Sequence, residues 1–207
     1  MSWGLSSSGR VIDLTDPLAT AASLTVGEIA HSLATINRYT GHALRPISVA
    51  EHSLLVSDII ERDLGLGVHV QMAGLMHDAH ECVCSDQSSP TKQMLGAAWH
   101  DFEREWEHAF HKAFGLCEAF ACYGPAVKRA DLMALATERR DLMHPGGPPW
   151  PSLAGIPSQA GVQLRDRDAF TWQDWRSAFE DRYGELLYAM QQPTPPTHPR
   201  HPTETAA

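Results

Sequence analysis

The chain has 207 residues, of which 43% are hydrophobic, so it is long and apolar enough to bury the core of one domain. Its formal net charge of −9 at pH 7 argues against a nucleic-acid polymer as its main partner. No apolar run approaches the roughly 18 residues that a membrane span needs, and the N-terminus lacks the pattern of a secretory signal. Four irregularly spaced cysteines are too few for a disulfide scaffold. We therefore expect free thiols, no membrane insertion and a cytoplasmic location.

The two ends of the chain differ in composition from the middle. Residues 1–24 are rich in Ser, Thr and Gly and are predicted to form an extended entry segment that could include a small hairpin. The proline-rich residues 192–207 are predicted to be a disordered tail, in which the histidines are solvated and hold no metal. Residues 25–191 are then left as a single domain.

Helices dominate the pattern of residues 25–191. Thr25 with Glu28, and Ser48 with Glu51, have the spacing of capping boxes, and each pair is followed by apolar residues at helical intervals. The second of these helices is predicted to end near Gly65. Further helices are predicted over about 68–82, 91–114, 125–143 and from Thr171 onward. Since there is neither a strand-rich block nor an internal repeat, the predicted fold class is all-α.

Ionisable residues occupy the apolar faces of three of these helices. His52 precedes Leu55 and Ile59 at helical spacing, and His77 follows Val70 and Ala73 in the same way. Asp131 lies between apolar residues one turn away on either side. Unpartnered burial of such groups costs several kcal/mol. A single core histidine is more often satisfied by hydrogen bonds, but several in register favour a metal.

The ligand types suit a transition metal. Two imidazoles and two carboxylates form a mixed nitrogen and oxygen set, which favours Mn, Fe, Co, Ni or Zn over Ca. The four candidates are His52, His77, Asp78 and Asp131.

The order of these residues resembles the H…HD…D signature of HD-domain metal-dependent phosphohydrolases. The flanking segments are similar to bacterial 5′-deoxynucleotidases and, equally, to phage enzymes that hydrolyse deoxynucleoside triphosphates such as dATP. The resemblance covers roughly residues 25–143, and the matching segments are 37–41, 48–53, 77–81, 86–92 and 128–131.

The resemblance implies an HD-domain helical bundle and a role for each matching residue. His52, His77, Asp78 and Asp131 would bind one divalent transition metal, with an additional Mg²⁺ when the substrate is a triphosphate. Glu81 would position or deprotonate the attacking water, and Asp86 would assist it. Arg38 and Lys92 would hold phosphate oxygens. Such proteins commonly form homo-oligomers, so we expect one here.

Each of these roles has a simpler alternative. Glu81 could only cap its neighbours, and Asp86 could be a turn residue. Arg38 could be an ordinary cation at a helix end, and Lys92 a solvated helix start. Two other sets of residues are interpreted as non-ligands: His80, which a helical wheel turns away from His77, and the exposed-face residues His108 and His111.

The expected function is hydrolysis of a deoxynucleotide. Two separated cations, Arg38 and Lys92, suit a substrate with more than one phosphate. The prediction is therefore a deoxynucleoside triphosphate that yields deoxynucleoside and triphosphate. The alternatives are a 5′-deoxynucleotidase acting on monophosphates and a non-catalytic domain that senses a nucleotide. A guanosine tetraphosphate hydrolase is disfavoured, because residues 82–130 lack the Glu-Asp pair usual in that class.

Overall fold

The computed structural model of the chain describes residues 2–192, so the prediction of a disordered tail concerns residues that lie almost entirely outside it. Within residues 2–192 there are nine α-helices and one small two-stranded sheet. The all-α prediction is therefore confirmed. No described helix is both long enough and apolar enough to cross a membrane.

The N-terminal segment is more structured than its sequence predicted. Strands β1 (Trp3–Leu5) and β2 (Val11–Asp13) pair antiparallel, and helix α1 (Pro17–Ser23) begins directly after its cap, Asp16. The prediction of an extended segment was therefore wrong for α1. The hairpin is fixed to the domain by Glu28, which accepts hydrogen bonds from the hydroxyls of Ser6 (2.6 Å) and Ser8.

The two predicted capping boxes differ in outcome. Helix α2 (Val26–Thr35) begins with a complete box between Thr25 and Glu28. Helix α3 (Val49–Arg62) begins with half of one, because Ser48 accepts from the Glu51 backbone while the Glu51 carboxylate binds Arg45 at 2.7 Å instead. A tertiary ion pair has therefore replaced the local contact.

Helix α4 (Val68–Leu75) is the central helix of the bundle and is buried from Val70 to Leu75. The predicted single helix over 68–82 was wrong: α4 ends, residues 76–80 form turns, and the short helix α5 (Glu81–Cys84) follows. The ring of His77 stabilises this end, since its Nδ1 donates to the carbonyl oxygen of Gly74 at 2.8 Å and satisfies one of the last carbonyls of the helix.

The remaining helices also depart from their predicted bounds. The predicted helix over 91–114 is two helices, α6 (Ser89–Leu95) and α7 (Ala97–Ala113), separated at Gly96, whose φ of +68° favours glycine. Helix α8 (Cys117–Leu142) begins eight residues before Pro125, which lies inside it and does not start it. Helix α9 (Trp172–Met190) begins after Thr171 as predicted. Short 3-10 helices cover Arg38–Gly41, Pro151–Leu153 and Leu164–Arg167.

Two groups of buried side chains meet at α4. One group lies among α1, α2, α7 and α9 and includes Trp106, Phe110 and Phe179. The other lies among α3, α4 and α8 and includes Ile59 and Ile60. A helix that is apolar on all sides must be enclosed, and α4 contributes residues to both groups.

Candidate metal centre

Four of the predicted site residues converge at the C-terminal end of α4. His52 comes from α3, His77 and Asp78 from the turn after α4, and Asp131 from α8. The nearest ligand-type atoms of His52, His77 and Asp78 lie within 4.8 Å of one another. Asp131 Oδ1 lies 3.3 Å from His52 Nε2, and Asp78 Oδ2 lies 3.1 Å from His77 Nε2. The structure therefore brings these four residues close together.

Both histidines present Nε2 to this cluster. His77 uses Nδ1 to donate to Gly74, and His52 uses Nδ1 to donate to a carboxylate of Glu138 at 2.6 Å. With the proton on Nδ1, the neutral ring of each histidine has a free lone pair at Nε2. Both Nε2 atoms are buried and have no hydrogen-bond partner. An unpartnered buried polar atom costs about 1–3 kcal/mol, so the residues present fit a metal ion that accepts both lone pairs.

The charges of the cluster also favour a cation. Burial raises the pKa of Asp78, but His77, His52 and Arg38 outweigh it and hold that pKa well below its ordinary value. Asp131 is likewise buried, and its contact with His52 lowers its pKa. Burial and the Arg38 charge lower the pKa of His52, but Glu138 and Asp131 outweigh them and raise it to about 9. A positive charge at His52 Nε2, whether a proton or a metal, is therefore favoured.

Glu81 differs from the two aspartates. It is 3% exposed, and its Oε2 atom is buried without a hydrogen-bond partner. Burial and the negative charges of Asp78 and Asp86 raise its pKa well above the ordinary value. Asp86 is half-buried, and burial also raises its pKa. Asp78 and Asp131, whose pKa values are lowered, therefore lie near Glu81, which takes up a proton more readily. Such a difference between neighbouring carboxylates suits proton transfer.

A cavity of about 340 Å³ opens beside the cluster. Its wall includes three metal-ligand candidates, two lysines, one further histidine and two glutamates: His77, Asp78, Asp131, Lys92, Lys128, His80, Glu103 and Glu107. A cavity of this size with two lysines on its wall can hold a small anionic ligand next to the candidate metal position.

The predicted phosphate-binding residues differ in their surroundings. Lys92 faces the cavity and donates to the carboxylate of Glu103. Arg38 is 8% exposed, forms an ion pair with Glu138 at 3.1 Å and lies 3.8 Å from Asp78. Neither cation is a solvated helix-end residue, but each already has a carboxylate partner.

His80 points toward the cavity, and the helical-wheel interpretation that turned it away was wrong. The wheel assumed a continuous helix, whereas residues 76–80 are turns. His80 is 6% exposed, and its Nε2 lies 3.9 Å from Glu103. His80, Glu81 and Glu103 are close enough together to hold a metal. The ammonium group of Lys92, however, already neutralises Glu103.

His111 was also misplaced. Its ring stacks on Phe120 with centroids 3.7 Å apart, and its side chain is 12% exposed. Burial and the nearby histidines lower its pKa to about 4, so its ring is neutral at pH 7. His108 is exposed, as predicted.

Sequence reasoning missed Glu103 and Glu138. Glu138 follows Asp131 by seven residues, two turns of one helix, so its spacing was a usable signal. Glu103 carries no such signal, because it lies on a helix rich in charged residues and only packing brings it near Lys92. The described cysteines are free thiols, as predicted.

Comparison with known proteins places the chain in a family. No protein-family model matches it. It is 36% identical over 135 residues to the uncharacterized protein YfdR of Escherichia coli, a match that covers 65% of this chain and 70% of YfdR. It is 34% identical over 196 residues to an uncharacterized protein of Rhodobacter capsulatus, covering 91% of this chain and 97% of that protein. The chain therefore belongs to the family of these two uncharacterized proteins.

Proposed function

We propose that the chain is an HD-domain metal-dependent phosphohydrolase that acts on deoxynucleotides. The preferred substrate is a deoxynucleoside triphosphate, and the products are deoxynucleoside and inorganic triphosphate. The observation that supports this most directly is the pair of buried, unpartnered Nε2 atoms of His52 and His77. They lie beside two carboxylates, and part of the cluster lines a cavity that also contains lysines.

The donor set defines the metal class. Two imidazole nitrogens and the carboxylates of Asp78 and Asp131 suit Mn, Co, Fe, Ni or Zn. When bound, such an ion would lower the pKa of a water molecule and polarise the phosphoryl group, while an additional Mg²⁺ would accompany a triphosphate. A chelator should therefore remove activity, and one of these ions should restore it.

The chain's own residues supply proton transfer and charge. Glu81, with Asp86 near it, accepts the proton of the attacking water. The water oxygen forms a bond to the α-phosphorus, the bond to the 5′ oxygen breaks, and the 5′ oxygen takes up a proton. Lys92 and Lys128 on the cavity wall neutralise phosphate oxygens. Lys128 Nζ donates a hydrogen bond to Asp131 Oδ2 at 2.7 Å. Its charge therefore lies beside the metal-ligand candidate, where it can neutralise a phosphate bound next to Asp131.

A 5′-deoxynucleotidase acting on monophosphates is the second candidate. Arg38 is buried against Glu138 and Asp78, and Lys92 is paired with Glu103. A cavity whose cations are already partly neutralised has less charge available for three phosphates. This observation favours a smaller anion.

One substrate panel distinguishes the candidates. Purified protein is treated with chelator, reloaded separately with Mn, Co, Zn or Mg, and assayed with all deoxynucleoside mono-, di- and triphosphates by product chromatography. In ¹⁸O-labelled water, attack at the α-phosphorus places the label in inorganic triphosphate and none in the deoxynucleoside. Asp78→Asn should abolish turnover, whereas the exposed His108→Ala should not change it.

Each outcome has a defined meaning. Triphosphate release at least tenfold faster than monophosphate hydrolysis supports the preferred proposal. The reverse ratio supports the 5′-deoxynucleotidase. Nucleotide binding without turnover under every metal overturns both and leaves a nucleotide-sensing domain.

The proposed homo-oligomer has a separate test. Apolar side chains are exposed on two helices, with Met94 of α6 at 88% and Tyr188 of α9 at 67%. Sedimentation equilibrium of the wild type, Met94→Lys and Tyr188→Lys would show whether either surface holds copies together. A monomeric wild type would contradict the expectation.

A further inference from the structure

We propose that Glu138 is a positioning residue that fixes the tautomer and ring orientation of His52 for metal binding. The inference rests on the proposed function, because it requires a metal at the cluster. Glu138 is fully buried on α8, two helical turns after Asp131. A single helix thus supplies both a metal-ligand candidate and the partner of another.

The contact between Glu138 and His52 is close and specific. Glu138 Oε1 lies 2.6 Å from His52 Nδ1. An ionised carboxylate can only accept, so the proton lies on Nδ1, and Nε2 is left to face Asp131 and Asp78. A carboxylate that accepts a hydrogen bond from a metal-binding histidine makes that histidine a more basic ligand and holds its ring in place.

A second contact prevents Glu138 from turning away. Arg38 Nε donates to Oε2 at 3.1 Å, and the hydroxyl of Tyr39 donates to the same oxygen. With Oε2 occupied twice, Oε1 is directed at His52. The positive charge of Arg38 also favours the ionised, acceptor-only carboxylate.

The backbone that presents Arg38 and Tyr39 is strained. Tyr39 has φ 57° and Thr40 has φ 54°, both in the left-handed region that side chains with a Cβ atom rarely adopt. Such strain persists only where the surroundings fix it, and it is often found at functional sites. Here it brings two consecutive side chains toward Glu138.

The second histidine shows why Glu138 can be tested in isolation. His77 Nδ1 is held by the backbone carbonyl of Gly74, a contact that no side-chain replacement removes directly. His52 depends on a side chain. Replacement of Glu138 therefore alters one histidine ligand and leaves the other.

The experiment compares Glu138→Gln with Glu118→Gln, a change at an exposed glutamate of the same helix. Calorimetric titration of chelator-treated protein with Zn²⁺ and with Mn²⁺ measures affinity. Nitrogen-15 NMR of the histidine rings at saturating Zn²⁺ reports which nitrogen of His52 carries the proton. We expect Glu138→Gln to weaken metal binding by about 10–100-fold, the usual effect of losing such a partner, and to lose the single Nδ1–H tautomer. Glu118→Gln should match the wild type in both measurements.

Two results would overturn the inference, and a third would require a second variant. Unchanged affinity and an unchanged His52 tautomer in folded Glu138→Gln overturn this inference alone. Failure of the wild type to bind either ion overturns the proposed metal site, and the inference with it. If Glu138→Gln does not fold, Tyr39→Phe removes one of the two donors to Oε2. That variant should show a smaller loss of affinity in the same direction, and unchanged affinity there overturns the inference.

Discussion

Gly74 of α4 faces α3 one turn before His77. Gly74→Ala should therefore lower the stability of the protein and disturb the metal site. A Cβ atom at Gly74 would lie 2.3 Å from Ile60 Cδ1 and 3.3 Å from Val56 Cγ1. Ile60 is fully buried, so its side chain cannot move without displacing its neighbours. The first distance is far below any normal contact, and the two helices must separate or Ile60 must leave its preferred rotamer.

The expected change in the free energy of unfolding is the difference between two opposing effects. Overpacking a well-filled core costs about 1–3 kcal/mol, whereas replacing a helical glycine by alanine gains about 0.5–1 kcal/mol. We therefore expect Gly74→Ala to lower the free energy of unfolding by roughly 1–2 kcal/mol. Because the Gly74 carbonyl accepts from His77, separation of the helices should also weaken Zn²⁺ binding.

A double-mutant cycle with Ile60→Val isolates the clash. Ile60→Val removes the Cδ1 atom and alone should cost about 0.5–1.5 kcal/mol. In that background Gly74→Ala should be neutral or stabilising by up to about 1 kcal/mol, so its sign reverses. Gly184→Ala is the matched control, since Gly184 lies inside α9 with nothing within 4 Å of its Cβ position.

Urea unfolding of the four proteins of the cycle and the control measures stability, and calorimetry with Zn²⁺ measures the site. If the effects of Gly74→Ala and Ile60→Val simply add, the steric reasoning is wrong. If stability recovers in the double variant while Zn²⁺ affinity does not, the link between helix spacing and the site is wrong.

Three further predictions concern single side chains. Glu81→Ala should keep its metal and its fold but lose about 10²–10⁴ in rate, the usual contribution of a general base; elemental analysis showing metal loss as large as in Asp78→Ala would instead make Glu81 a ligand. Lys92→Ala should reduce turnover of triphosphates far more than that of monophosphates, and equal losses in a steady-state assay would exclude a role specific to the outer phosphates. Burial would raise the pKa of Glu28, but hydrogen bonds from Ser6, Ser8 and Thr25 hold it below its ordinary 4.5. The ionised Glu28 carboxylate therefore stabilises the protein fully above pH 4.5, and this stabilisation is lost as the pH falls toward the lower pKa of the folded state. Glu28→Gln should then destabilise the protein at pH 7, with a difference in unfolding free energy that shrinks in acid; a difference independent of pH would contradict this.

Local sequence patterns determined the elements whose cause is itself local. Thr25 with Glu28 forms a complete capping box, and α9 begins after Thr171, because a cap needs only residues three positions apart. Helical spacing also placed His52 and Asp131 on the inward faces of α3 and α8. These positions could be predicted because the apolar faces that pack together carry the polar residues with them.

Tertiary contacts decided the remainder. Residues 76–80 leave the helical path, and His77 there satisfies a carbonyl at the end of α4, so a helical wheel could not predict that His80 faces the cavity. The partner of His52 is 86 residues away on α8, and the partner of Lys92 is on α7. The Glu51 carboxylate likewise forms an ion pair with Arg45 and does not complete the predicted capping box. A polar side chain binds the partner that packing brings within reach, and the spacing of residues along one helix does not contain that information.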